Sequence, residues 1–136
     1  MTPDEGKPRP KKQRARRGEP APADATLVVR GDLLDPDELR EDATDNFEIY
    51  GYWAVSVFAE VGGYDLEWIG ATKLTQARWL VLFRAGDLYQ SGLELWDTGQ
   101  SPHYDVVYDG VEALVERLLG CPHRIVRNPM GPRGSS

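Results

Sequence analysis

Gly92-Leu93-Glu94-Leu95-Trp96-Asp97-Thr98-Gly99-Gln100-Ser101-Pro102-His103-Tyr104-Asp105-Val106-Val107-Tyr108 decides how this chain turns back on itself. Thr98 to Pro102 is turn-forming by composition, and the runs on either side alternate in the manner of half-buried strands. The corner gathers Glu94, Asp97, His103 and Asp105, so carboxylates and an imidazole meet beside aromatic rings.

Working outward, Tyr52–Ala59 and Trp79–Arg84 are short apolar runs with little polarity on either side, which predicts interior strands covered on both faces. Thr26–Arg30, stopped by Gly31, reads as a first strand, and His123–Arg127 as a last edge strand. Asp35-Pro36-Asp37-Glu38 carries the chemistry of a helix start. The helix it opens places Leu39, Ala43, Phe47 and Tyr50 on one face, sets Arg40, Glu41, Asp42, Asp45 and Glu48 away from it, and ends at Gly51. Asp65 is positioned to cap a helix through Leu66, Ile69 and Leu74, which Gly70 weakens. Gly86–Ser91 is a short helical turn. Asp109 is the expected cap of a final helix striped by Val111, Leu114, Val115 and Leu118. The predicted order is β-α-β-α-β-α-β-β-α-β. The fold class expected is α+β: a single domain, a mixed β-sheet with about three packed helices, and a disordered basic N-terminal arm.

Charge divides the chain unevenly. Residues 1–20 contain Lys7, Arg9, Lys11, Lys12, Arg14, Arg16 and Arg17 and carry a net +4, whereas residues 21–136 carry a net −10, within an overall −6. The N-terminal stretch is rich in proline and poor in apolar side chains, so it does not bury enough surface to offset the entropy of folding. Residues 1–24 are expected to form a disordered arm, 25–128 the globular body and 129–136 a flexible tail. A basic arm is able to neutralise phosphates, which makes nucleic acid a third partner class through residues 7–17, although an acidic body disfavours a nucleic-acid groove across the domain. Four tryptophans, six tyrosines and three phenylalanines in 136 residues argue for a packed body. No apolar run reaches the ~20 residues that span a bilayer, and no signal peptide is visible, so a cytoplasmic protein without membrane contact is expected.

The chemistry-bearing candidates are few. His103 beside Asp97 or Asp105 has the makings of a general base whose ring is oriented by a carboxylate, against the plainer reading of a structural hydrogen-bonder beside a proline turn. Trp96 and Trp53 are able to stack on a planar ligand or to fill the core. Cys121 has no partner for a disulfide or a zinc site and reads as a small buried filler. No phosphate loop, serine-hydrolase elbow or metal-binding motif is present.

Two resemblances add to this reading. Val28-Val29-Arg30-Gly31, Tyr50-Gly51-Tyr52 with Ser56-Val57-Phe58, the Gly92–Gly99 and Ser101–Asp105 segments, and Pro122-His123-Arg124 resemble a family of small uncharacterised proteins of high-GC Gram-positive bacteria. That resemblance spans about Leu27 to Asn128 and implies no reaction. Arg30-Gly31, Ser56 and Glu94, in that order, are similar to the spine of ADP-ribosyltransferase domains of the arginine-serine-glutamate type. This second resemblance implies that Arg30 binds the cofactor NAD, that Ser56 orients its nicotinamide ribose and that Glu94 is catalytic. The chain departs from the family in having Val55-Ser56-Val57 where a Ser-Thr-Ser run is usual, and Gly92 where a second Glu or Gln is usual. The leading expectation is an interaction or accessory module that meets a protein partner in a bacterial, toxin–antitoxin-like setting. The alternative is an NAD-dependent ADP-ribosyltransferase with Glu94, Ser56 and His103 as catalytic candidates. Neither composition nor pattern sets an oligomeric state.

Overall fold

The structure is a computed structural model that describes residues 27–129 and 131. The arm assigned to residues 1–24 and most of the tail assigned to 129–136 lie outside the described residues. The elements are β1 (Leu27–Gly31), α1 (Pro36–Tyr50), β2 (Ala54–Ala59), α2 (Leu66–Thr72), β3 (Trp79–Arg84), α3 (Ala85–Gln90), β4 (Glu94–Asp97), β5 (His103–Val107), α4 (Val111–Gly120) and β6 (Arg124–Arg127). This is the order expected from the sequence, and the fold is α+β. The strands form one six-stranded sheet in the order β4-β5-β2-β1-β3-β6. Every pairing in it is antiparallel: the β1–β2 and β4–β5 connections return the chain to the end of the sheet that it left, while the other three cross to the opposite end and insert strands between or beside earlier ones. Four helices pack on it, three of them longer than the single-turn α3.

Alternation along the strands gives the two faces different fates. Val28, Val55, Val57, Val81, Phe83, Leu95, Tyr104 and Val106 point to one face, where Leu39 and Ala43 of α1, Leu88 of α3, and Leu114, Val115 and Leu118 of α4 close a continuous core. Cys121 is buried in that core, as expected of a filler. Burial pushes its thiol pKa up, against a hydrogen bond with Ser91 that lowers it. On the opposite face a smaller cluster forms beneath α2 from Val29, Leu80 and Leu82 with Ile69 and Ala77, and it extends as far as Phe58. Beyond Phe58 the half of this face made by β2, β5 and β4 carries Ser56, His103, Asp105, Trp96 and Glu94, and none of the four helices contributes a buried residue to it. The expectation that β2 is covered on both sides therefore holds for one face only: Ser56 and Phe58 are half-buried.

Helix α1 begins as its sequence suggests, with Asp35 accepting a hydrogen bond from the Asp37 amide and Pro36 in the first turn, and it ends at Gly51 in the left-handed region at φ 90°. Its polar side differs from expectation. Strand β1 pairs with β2 only at Val28–Ala59 and Val29–Phe58, while its pairing with β3 continues to Gly31–Leu80. The strands part at Arg30, and side chains take over the backbone groups left on β2. The Arg30 guanidinium donates from Nη1 to the Ser56 carbonyl at 2.9 Å and to Asp42 Oδ2 at 2.9 Å, and the same Asp42 oxygen accepts from the Ser56 amide at 3.0 Å. One turn further, buried Asn46 donates to the Ala54 carbonyl at 2.7 Å. Asp42, placed by periodicity among solvated residues, thus faces the sheet because an interior strand edge demands polar partners.

Two further departures have local causes. The cap of α4 is Gly110, which makes no side-chain bond, and not Asp109. Gly70 inside α2 is explained by Asn128: a Cβ at position 70 would stand 2.7 Å from Asn128 Oδ1. Asn128 is buried and its Nδ2 donates to the carbonyls of Gly70, Leu74 and Ala77 at 3.3, 2.9 and 3.0 Å, fastening the end of β6 to the loop after α2.

Candidate functional site: an aromatic and acidic cleft

The β4–β5 corner begins with geometry that its sequence dictates. Antiparallel pairing sets Trp96 opposite Asp105 and Glu94 opposite Val107, and residues two apart on a strand share a face, so Glu94 and Trp96 stand side by side. The Trp96 indole donates to Glu94 Oε1 at 2.8 Å, which fixes both side chains. Across β5, the register of β2 places Ser56 opposite Asp105 and Ala54 opposite Val107. Tyr52, just before β2, lays its ring 4.8 Å from that of Trp96 and donates its hydroxyl to Asp105 Oδ2 at 2.9 Å. Asp105 is fully buried, and this bond is one reason its carboxylate is tolerated there.

Behind this pair, Phe47 at the end of α1 stacks on Trp53 at 4.0 Å with the planes 10° apart. The segment from Gly51 to Trp53 links the two ring pairs, and Tyr108 and Asp109 close the far wall. The result is a cleft of about 450 Å³ lined by Phe47, Tyr52, Trp53, Glu94, Trp96, Val107, Tyr108 and Asp109, with Gly51 and Gly92 at its margins. Its size falls in the range of small-ligand sites. Several rings and two carboxylates line it, and at its margin the Arg117 guanidinium already lies 4.5 Å from the centroid of the Tyr108 ring. Such a surface attracts a cation twice, through the ring quadrupoles and through the carboxylate charge.

The other candidates fall into separate places. Arg30 and Ser56 adjoin each other and line a second cleft of about 300 Å³ with Phe58, Lys73, Leu74 and Ala77 among its walls. Glu94 lines the aromatic cleft instead, on a strand separated from that of Ser56 by β5. His103 belongs to neither set of walls: its ring packs edge-on to Phe58 at 5.4 Å, and Nδ1 lies 2.8 Å from Thr98 Oγ1. The Asp97 carboxylate caps its own turn by accepting from the Gly99 amide at 2.7 Å, and Asp105 accepts from the Tyr52 hydroxyl.

No family model, curated protein or solved structure matches this chain. Phe47, Trp53 and Tyr108 were legible as aromatic residues but not as members of one site, because they come from the end of α1, the entry to β2 and the exit from β5. The one signal that could have joined them is the register, since Glu94, Val107 and Ala54 form a single rung across β4, β5 and β2.

Proposed function

We propose that the protein is an interaction module whose aromatic and acidic cleft receives an arginine or lysine side chain of a protein partner. The observation that carries this reading is the convergence of Tyr52, Trp53 and Trp96 with Glu94 and Asp109 on one cleft. A guanidinium or ammonium over such rings gains about 0.5–2 kcal/mol from each good cation–π contact, the larger values belonging to desolvated sites. Glu94 is pre-oriented by the Trp96 indole, so little side-chain entropy is lost when a cation arrives. The acidic body adds long-range attraction for a basic partner, which speeds encounter and weakens with salt.

The competing reading, transfer of ADP-ribose from NAD, needs Arg30, Ser56 and Glu94 to act on one ligand. Arg30 and Ser56 do adjoin, but the Arg30 guanidinium is engaged by Asp42 and by the Ser56 carbonyl, and Glu94 lines a different cleft.

The test is a titration of the chain with a short arginine-containing peptide, followed through the indole N–H resonances of its four tryptophans. Trp96 and Trp53 should move, while Trp68 of α2 and Trp79 on β3 stay in place. Movement of all four or of none contradicts the assignment.

A further inference from the structure

The same chain carries its own concentrated source of the chemistry that the cleft fits. We propose that the basic segment containing Arg14, Arg16 and Arg17 occupies the Glu94–Trp96 cleft of its own chain and competes there with the partner; this inference rests on the cationic-ligand reading of that cleft.

Three observations support it. The first is complementarity: residues 1–20 carry a net +4 against a net −10 for residues 21–136, and the cleft presents Glu94 and Asp109 among its rings. The second is reach. From Leu27, opposite Glu60, to the rung of Ala54 and Glu94 is six residues along β2 and three strand spacings across, or roughly 20 Å by 14 Å at ordinary sheet dimensions. The straight-line span is then about 25 Å, whereas the ten residues from Arg17 to Leu27 cover about 33 Å when extended. A proline-rich segment favours such extension, and Pro20 and Pro22 lie within it. The third is the route. A line from Leu27 to the cleft on this side of the sheet crosses Phe58, Ser56, His103 and Asp105, the half-face to which none of the four helices contributes a buried residue, after skirting the second cleft that Arg30 and Lys73 line beside Ser56 and Phe58.

A tether of this length sets an effective concentration on the order of millimolar, so an arm with an intrinsic Kd near ~0.1 mM would weaken an outside competitor about tenfold. The arm therefore works as a threshold that admits only partners whose basic segment binds more tightly than its own.

The experiment uses the full chain beside an Arg14→Gln/Arg16→Gln/Arg17→Gln variant, with an acetylated arginine-rich hexapeptide of unrelated sequence as the probe. The Trp96 indole resonance should shift between the two free proteins while that of Trp79 does not, and the variant should bind the probe about tenfold more tightly, with both effects independent of protein concentration. An unchanged Trp96 resonance together with equal probe affinity overturns the arm contact and leaves the cleft's partner reading standing. Probe binding by neither protein removes the partner reading, and the Trp96 resonance then decides the arm contact by itself. A Trp96 difference that fades on dilution overturns the intrachain contact, since it assigns the occupant to a second copy.

Discussion

The two faces of the sheet are built from the same strands but obey different rules. On the face beneath α1, α3 and α4, nearly every inward position from Val28 to Val106 is aliphatic or aromatic and fully buried. On the other face only the β1–β3 half is sealed by α2, and the β2–β5–β4 half carries Ser56, His103, Asp105, Trp96 and Glu94. Burial of apolar area explains the first face. The second is organised by hydrogen bonds and ring contacts, Tyr52 to Asp105 and Trp96 to Glu94 among them, which position groups more than they stabilise the chain. The difference teaches where polar groups gather: the sheet half to which no helix contributes a buried residue holds the carboxylates and rings on which the proposed function rests.

The largest expected effect lies on the sealed face. Leu114→Ala or Leu118→Ala removes a fully buried side chain from the core and should cost about 2–5 kcal/mol in chemical denaturation. Glu112→Ala on the same helix breaks only the exposed pair with Arg40 and should leave the denaturant midpoint unchanged. Similar effects at all three positions would erase the distinction between the helix's two sides.

A smaller loss is expected where polar bonds replace apolar contact. Asn128→Ala leaves the Gly70, Leu74 and Ala77 carbonyls without their shared donor and should cost about 1–3 kcal/mol. Its signature should be local, with faster amide exchange in residues 70–77 before the rest of the sheet is affected. Uniform loss of protection across the sheet would mean that the β6 anchor is part of the global core.

The smallest effect on stability belongs to the half-face without a helix. Glu94→Gln should shift the denaturant midpoint by within about 0.5 kcal/mol, while arginine-peptide affinity falls several-fold. A large loss of stability would identify Glu94 as a structural residue and end the contrast between the faces.

How much of this could be read from the chain depends on the range of the interaction involved. Element order, the Asp35–Pro36 helix start, the Gly51 stop and the apolar stripe of α4 were legible because they rest on local propensity and periodicity. The inward turn of Asp42 was not, because it answers a gap between β1 and β2 that only tertiary pairing creates. Nor was the role of Gly70, which reads locally as a weak helix residue and makes sense only against Asn128 far along the chain. Among the site candidates, the Glu94 and Trp96 partnership follows from spacing of two on a strand. The gathering of Phe47, Trp53 and Tyr108 around them needed the sheet register. His103 drew notice because histidine is scarce here, yet its packing against Phe58 and its bond to Thr98 give it a place in the turn.

The central claim is that the cleft recognises positive charge held against rings. Calorimetric titration of the full chain with an arginine-containing peptide and with its citrulline counterpart, which keeps the planar shape but replaces one NH2 donor with a neutral carbonyl oxygen, tests this most directly, with the salt dependence isolating the part due to charge. The account predicts that the arginine peptide binds at least tenfold more tightly, equivalent to about 1.4 kcal/mol, and that raising the salt concentration narrows the gap. Equal affinity for the two peptides, or a gap that salt leaves untouched, would contradict it.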